Sequence, residues 1–285
     1  MRTLLVTATL LLALAAGARG AEPSADARRD LAPRGVLRAA INFGNPVLAH
    51  RDPATRAVEG VSVDLARELG RRLGVTVTLV TYDSAGTVTD AAEADAWDIC
   101  FLAVDPARAR TIAFAEPYVT IEGTYLVRAE APFRTLDDLD REGVRIAVGR
   151  GSAYDLFLGR TLRHATLVRA ASSPAALALF AEQGLDAAAG VTQPLMAYAA
   201  AHPETRVIPG RFMTIAQAIG MPKGRAAGLA YLRAFVEDAK ASGFVAAALA
   251  THGQEAAVAS PAAPAPSADG SAPPAGLPAQ QGARP

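Results

Sequence analysis

The residue best suited by type and position to bind a ligand is Arg108. Residues 98–104 have the pattern of a buried strand, and Asp105 and Pro106 follow it as a helix N-cap and a first helical residue. Arg108 then falls in the first turn of a short helix, beside free backbone N–H groups. A guanidinium and free N–H groups together suit a carboxylate. For Arg108 taken alone, a solvated surface position is the alternative.

The composition limits the classes of protein to which this chain can belong. It has 285 residues with no formal net charge, and 51% of them are hydrophobic, enough for one large domain or two of ordinary size. The neutral charge gives no reason to propose nucleic acid or an anionic membrane as a partner. The single Cys100 lies in an apolar run, and the four histidines are scattered without metal-ligand spacing. We therefore predict no disulfide, no metal and no cofactor.

The first 20 residues have the pattern of a secretory signal peptide. A basic start precedes an apolar run over residues 4–16 that is too short to span a bilayer, and cleavage is expected before Ala21. A membrane anchor is the alternative. Residues 21–33 are predicted to form a polar leader. Residues 252–285, rich in Pro and Ala, are predicted to be a disordered tail because they cannot bury enough apolar surface. We expect a periplasmic protein.

The order of the elements between these ends is that of an α/β fold. Predicted strands alternate with predicted helices as β-α-β-α-β from residue 36 onward, and the pattern restarts at residue 144. This order predicts mostly parallel sheets flanked by helices, and residues 226–249 carry a further helical pattern. Ligands of such sheets bind beyond the carboxyl ends of the strands. Residues 42–46 and 105–108 both follow a predicted strand and are therefore candidates for a binding site.

Four motifs in this order resemble the bacterial extracellular solute-binding proteins of family 3, the receptors of polar amino acid ABC importers. The motifs are Gly-Val-Ser-Val-Asp-Leu at 60–65, Trp-Asp-Ile at 97–99, Asp-Pro-Ala-Arg at 105–108 and Ala-Phe-Ala-Glu-Pro-Tyr at 113–118. The resemblance covers about residues 35–249. It implies a type II periplasmic-binding-protein fold, with two lobes that are each a mostly parallel sheet flanked by helices, joined by two hinge crossovers. The implied lobe 1 comprises residues 34–126 and 217–251, and the implied lobe 2 comprises residues 127–216.

The resemblance also implies roles for individual residues. Arg108 takes the position that grips the ligand carboxylate. Gly151, Ser152 and Ala153 match a turn whose backbone N–H and hydroxyl groups add further donors to that carboxylate. The other candidate contacts lie in loops of the implied cleft, and they are Asn42, Phe43, Asn45, Phe101, Asp105, Glu122, Thr192 and Gln193, with Tyr154 as a further possible wall.

One departure from the family pattern concerns charge. Where the family usually has an acid that binds the ligand ammonium, this chain has Val191, followed by the neutral Thr192 and Gln193. Either Glu122 or Asp105 replaces that acid, or the ligand carries no ammonium group, because an unpaired buried charge is costly. We predict the second case, a small carboxylate with neutral polar groups.

The function implied by the resemblance is capture of a small carboxylate solute, an amino acid or a related organic acid, and its delivery to the membrane permease of an ABC importer. The expected protein is a monomer, binds no nucleic acid and is not an enzyme. One alternative is a binding module that serves a periplasmic dehydrogenase or a sensor. Another is a dehydratase-like enzyme on the same scaffold, which would need a buried acid or base near the ligand, for which only Asp105 and Glu122 are candidates.

Overall fold

The computed structural model describes residues 22–262, so the predicted signal peptide and residues 263–285 lie outside the described range. The strands are β1 (Val36–Asn42), β2 (His50–Arg51), β3 (Val58–Glu59), β4 (Thr76–Tyr82), β5 (Ile99–Ala103), β6 (Ile112–Arg128), β7 (Arg145–Gly149), β8 (Thr166–Ala170), β9 (Ala187–Val191), β10 (Thr205–Val207), β11 (Met213–Pro222) and β12 (Ala257–Val258). The helices are α1 (Ala25–Leu31), α2 (Val61–Leu73), α3 (Ala85–Asp90), α4 (Ala153–Thr161), α5 (Ser173–Glu182), α6 (Thr192–Ala201), α7 (Ala226–Ala241) and α8 (Phe244–Thr251). Short 3-10 helices span Ala91–Glu93, Arg108–Arg110 and Leu136–Leu139.

The strands form two similar halves. In the first half, β1 lies between β4 and β5 and is parallel to both. In the second half, β7 lies between β8 and β9 and is again parallel to both. Helices α2 and α3 connect the strands of the first half, and α4 and α5 connect those of the second. Each half is therefore the β-α-β-α-β unit that the sequence predicts, and the prediction of mostly parallel sheets flanked by helices is confirmed.

Strands β6 and β11 carry the chain between the two halves. Strand β6 pairs antiparallel with β11 over residues 112–123 and with β9 over residues 123–127. Strand β11 also pairs with β5. Long strands are possible here because each contributes apolar side chains to the core along both halves, among them Ile121 and Ile219. The two points at which the chain is predicted to cross from one lobe to the other, near residues 126 and 216, lie within these two strands.

Both ends of the described range differ from the prediction. Residues 25–31 of the predicted leader form α1, because Ala27 and Leu31 share one helical face that is buried, and the helix contacts α7. The first part of the predicted disordered tail, residues 252–262, is also ordered. Its strand β12 pairs with β6, and Ala259 is buried. The predicted helix over residues 226–249 is divided into α7 and α8 at Gly243, whose φ of 78° is left-handed.

A buried ion pair joins β1 to β5 at the base of the first half. Asp98 is fully buried, and its Oδ2 accepts hydrogen bonds from the backbone amide of Arg38 at 2.9 Å and from its Nε at 3.0 Å. The Nη2 of Arg38 also donates to Asp98 Oδ1 and to the half-exposed Asp95, both at 2.7 Å. The hydrogen bond with Asp98 raises the pKa of Arg38 above its ordinary value. This pair fixes β5, and with it the turn that carries Arg108.

Asp98→Asn should destabilise the protein by about 3 kcal/mol, because it leaves the buried guanidinium of Arg38 without its main counter-charge. The matched control is Asp95→Asn, which removes a half-exposed partner of the same guanidinium and should cost less than about 1 kcal/mol. Urea unfolding followed by circular dichroism measures both. Equal losses in the two variants would show that burial of Asp98 does not set the strength of this pair.

Candidate ligand-binding site

Arg108 is buried at the point where β5 ends. It begins a 3-10 helix, and only 1% of its surface is exposed. Its Nη1 donates to the Ala103 carbonyl at 2.8 Å and its Nη2 to the Gly151 carbonyl at 2.7 Å, whereas its Nε has no partner in the described chain. Asp105 Oδ1 holds the turn by accepting a hydrogen bond from the Ala107 amide at 2.8 Å. Arg108 is therefore not a surface residue, and the expected short helix is a single 3-10 turn.

The positive charge of Arg108 has no acidic partner among the described residues. Burial lowers the pKa of Arg108 to about 10, against the opposing effect of Asp105, and this still leaves the guanidinium charged at neutral pH. The carboxylate of Asp105 forms its ion pair with Arg160, at 2.7 Å. An unpaired buried charge costs several kcal/mol. The buried guanidinium is therefore well suited to an anionic ligand.

A small cavity of about 30 Å³ borders Arg108. This volume holds about two water-sized groups, which is the size of a carboxylate. Its walls come from the ends of β1, β5 and β9, the start of α4 and the middle of β11. Asn45 in this wall is buried, and its Oδ1 has no hydrogen-bond partner in the described chain. The cavity thus combines one fixed positive charge with an amide that is free to bind a ligand donor.

The structure brings several predicted site residues together around this cavity. They are Asn42, Asn45, Arg108, Ser152 and Ala153. The Ser152 Oγ caps α4 by accepting a hydrogen bond from the Asp155 amide at 3.1 Å. Gly151 contributes differently from the expectation, because its carbonyl accepts a hydrogen bond from Arg108. Tyr154 is buried and also forms part of the wall.

The two phenylalanines predicted as walls lie outside the lining of this cavity. Phe101 is buried in the core, where its ring meets that of Tyr118 edge to face with 6.1 Å between centroids. Phe43 is half-buried, and the guanidinium of Arg51 lies 5.0 Å from its ring centroid. The cavity is lined instead by the next two residues of β5, Leu102 and Ala103, which lie nearer the end of the strand.

A different cavity, of about 320 Å³, is lined by three of the predicted site residues, Glu122, Thr192 and Gln193. Arg108 does not line it. Glu122 forms an ion pair with Arg211 at 2.8 Å. The Thr192 Oγ1 donates to the Glu122 carbonyl at 3.1 Å. The expectation that these residues share a site with Arg108 is corrected by their position. Val191 at the end of β9 lines the cavity at Arg108, but Thr192 and Gln193 begin α6 and line the other cavity. Glu122 lies in β6 and lines that other cavity too. Neither Glu122 nor Asp105 is among the residues that line the cavity at Arg108.

Sequence reasoning missed Gln217 and Ser173, which also line the cavity at Arg108. Gln217 is buried in β11, far along the chain from the other site residues. A lone polar residue in an otherwise apolar strand pattern is a signal that could have identified it. Ser173 lies in the first turn of α5, where its Oγ is 2.5 Å from the Tyr154 hydroxyl.

Three contacts join the two halves beside this cavity. The first is the hydrogen bond from Arg108 to Gly151, and the second is the ion pair of Asp105 with Arg160 on α4. The third is a close backbone approach between α3 and the turn before α4: a Cβ at Gly151 would lie 2.7 Å from the Cα of Gly86. Gly151 also has a left-handed φ of 67°. Glycine at both positions lets the two halves meet directly.

Residues 22–262 contain no group of three or more His, Cys, Asp or Glu side chains placed to hold a metal ion. Within the same range, no helix has the length and apolar character needed to cross a membrane.

Solved structures share this architecture. A mutant of ArgBP from T. maritima has a TM-score of 0.70 at 22% sequence identity, over 80% of this chain and 100% of that chain. An amino acid ABC transporter substrate-binding protein from Streptococcus pneumoniae, bound to L-arginine, has a TM-score of 0.69 at 18% identity, over 79% of this chain and 97% of that one. The ancestral amino acid-binding protein AncCDT-1, a precursor of cyclohexadienyl dehydratase, has a TM-score of 0.67 at 21% identity, over 79% of this chain and 98% of that one.

These likenesses concern the fold, because all three identities are low. They place the two sheet halves and their two crossing strands in the two-lobed architecture of periplasmic binding proteins. No curated protein sequence matches the chain. The family model for bacterial extracellular solute-binding proteins, family 3, matches residues 37–255, and the chain therefore belongs to this family.

Proposed function

We propose that this protein binds a small solute through its carboxylate at Arg108 and delivers it, in the periplasm, to the permease of an ABC importer. Membership of the extracellular solute-binding family supports the binding role and the location. The names of similar structures, which include an amino acid ABC transporter substrate-binding protein, support the link to an importer. The ligand lies between lobe 1, residues 34–126 and 217–251, and lobe 2, residues 127–216. The protein acts as a monomer.

The observation that carries the proposal is the buried, unpaired guanidinium of Arg108 beside a cavity of carboxylate size. A carboxylate there supplies the missing counter-charge in a site shielded from water, where a charged hydrogen bond is stronger than at the surface. The free Nε of Arg108 gives the ligand a donor that no described protein group occupies. Asn42 and Asn45 supply neutral polar groups for the rest of the solute.

The ligand carries no ammonium group held by an acid. No Asp or Glu is among the described residues that line the cavity at Arg108, and Val191 occupies the place of the usual acid. An ammonium group buried there would be unpaired and costly. We therefore assign an organic acid, such as a 2-oxo acid, in preference to the α-amino acids suggested by the names of the similar structures.

Closure of the two lobes completes the site. The ion pair of Asp105 with Arg160 and the hydrogen bond from Arg108 to Gly151 both link residues of opposite lobes. These contacts form only when the lobes meet, so they stabilise the closed form in which the ligand is shielded. Bending of the crossing strands β6 and β11 is the hinge motion that opens the cleft.

Binding, and not catalysis, is the role we assign. The described residues that line the cavity include no Asp, Glu or His that could act as a general acid or base. The buried Tyr154 has a pKa raised mainly by burial, which keeps its hydroxyl protonated at neutral pH.

Arg108→Ala should weaken binding of the carboxylate ligand by about 30-fold or more, because removal of one partner of a buried charged pair costs about 2–5 kcal/mol. Arg108→Lys should restore binding only in part, since an ammonium cannot form the two-pronged contact. Arg110→Ala is the matched control, because Arg110 lies in the same 3-10 turn but is exposed. Isothermal titration calorimetry measures all three. Unchanged affinity in Arg108→Ala, with the fold intact, contradicts the proposed site.

The ligand class is tested with pairs that share a carbon skeleton, such as pyruvate with alanine and 4-methyl-2-oxopentanoate with leucine. The 2-oxo acid of each pair should raise the melting temperature more, because its neutral oxo group needs no counter-charge. A ligand at about 100 times its dissociation constant stabilises the protein by about 2.7 kcal/mol, which a thermal-shift assay detects. Val191→Asp should reverse the preference within each pair. Stronger stabilisation of the wild type by the amino acids would reject the assignment.

Delivery to an importer is tested by uptake. Cells without this protein should lose saturable uptake of the solute identified in the thermal-shift assay, and the wild-type gene should restore it. The gene carrying Arg108→Ala should not restore uptake, because that variant cannot hold the carboxylate. Full uptake in cells without the protein would instead favour a binding module that serves a periplasmic dehydrogenase or a sensor.

A further inference from the structure

We infer that the solute carries a hydrocarbon group beside its carboxylate, and that this group lies in an apolar chamber next to Arg108. The chamber is a cavity of about 180 Å³ whose walls include Pro46, Leu177, Val191 and Leu195. The inference rests on the proposed function, since it extends the site at Arg108 to the remainder of the same ligand.

The chamber adjoins the carboxylate cavity. The two cavities share one wall, which is formed by Gly44, Tyr154, Ser173 and Val191. A ligand whose carboxylate meets Arg108 therefore has its next atoms directed either at the neutral amides of Asn42 and Asn45 or past the shared wall into the chamber. Val191 belongs to this shared wall, so the residue that replaces the usual acid also contributes apolar surface.

The chemistry of the chamber wall selects a hydrocarbon. None of the described residues that line it is charged. Its serine, Ser173, is already engaged, because its Oγ lies 2.5 Å from the Tyr154 hydroxyl. The remaining surface comes from proline, leucine, valine, alanine and glycine residues and from the tyrosine ring. A charged group placed there would lose its hydration and find at most one side-chain donor, the O–H of Ser173, whose Oγ accepts from Tyr154. This loss is unfavourable.

The size of the chamber sets the size of the group. An apolar cavity of about 150 Å³ is large enough to bind benzene. The chamber, at about 180 Å³, therefore has room for a phenyl ring or an alkyl chain of about four to six carbons. Burial of each methylene from water strengthens binding by about fourfold until the space is filled.

A series of straight-chain carboxylates from acetate to decanoate tests the inference, with calorimetry for the tighter members and NMR titration for the weaker ones. In the wild type, the dissociation constant should fall about fourfold per methylene up to about hexanoate and then level off. Leu177→Trp fills the chamber from α5. This substitution should weaken the binding of hexanoate by at least tenfold and leave the affinity for acetate unchanged, because Arg108 is untouched.

Leu179→Trp is the matched control, since Leu179 lies on the same helix but does not line the chamber, and it should keep the chain-length gain. Melting temperatures of both variants confirm that they are folded. If acetate and hexanoate bind equally well to the wild type, the chamber has no role and the carboxylate site stands alone. If the 2-oxo acids of the thermal-shift assay bind and no straight-chain carboxylate does, this inference alone fails. If neither set binds, the proposed function fails and this inference fails with it.

Discussion

The structure depends on one costly interaction, the burial of the Arg108 guanidinium with no acidic partner in residues 22–262. Two backbone carbonyls, of Ala103 and Gly151, partly offset the loss of hydration. Carbonyl dipoles do not neutralise a full charge, and the low pKa of about 10 reflects that deficit. A protein retains such a charge only where something else offsets the cost of its burial, and the proposed anionic ligand would do so. The surrounding fold holds this side chain in place, through the turn fixed by Asp105 and the strand fixed by the pair of Arg38 and Asp98.

In the proposed binding mode, the same side chain also couples binding to closure. Arg108 belongs to the first half of the sheet, and the carbonyl that it binds belongs to Gly151 in the second half. A ligand carboxylate that bonds to the guanidinium therefore stabilises it in the arrangement in which the halves are together. The glycines at positions 86 and 151 matter for the same reason, because any side chain there would separate the backbones and weaken the contacts that depend on their approach.

Much of the fold could be predicted from the sequence, and less of the site. The β-α-β-α-β units follow from local apolar periodicity. Arg108 and Asn42 could be identified because each lies at or just after a strand end, and Ser152 through the family resemblance. Two kinds of feature could not be predicted from the sequence. The segments α1 and β12 are ordered because they contact α7 and β6, which are far away in the chain. The few apolar residues of each segment do not identify these partners. The separation of Thr192 and Gln193 from Arg108 depends on the direction in which the chain leaves β9, a single turn that spacing does not encode.

Gln217 belongs both to β11, one of the two strands proposed as the hinge, and to the wall of the candidate site. The register of β11 against β6 shifts between Gln217 and Ala218 and again before Gly220. Such irregularities bend a strand and redirect side chains, and they are common beside binding sites. Here the irregularity lies in a strand that crosses between the halves, and it leaves Gln217 facing the cavity at Arg108. A bend of β11 during opening would therefore begin beside this polar wall of the site, which stays with the first half because Gln217 pairs with Ala103 of β5. The local sequence pattern predicts only an ordinary apolar strand here. It cannot indicate a shift in register, because that shift is a property of the pair of strands and not of either strand alone.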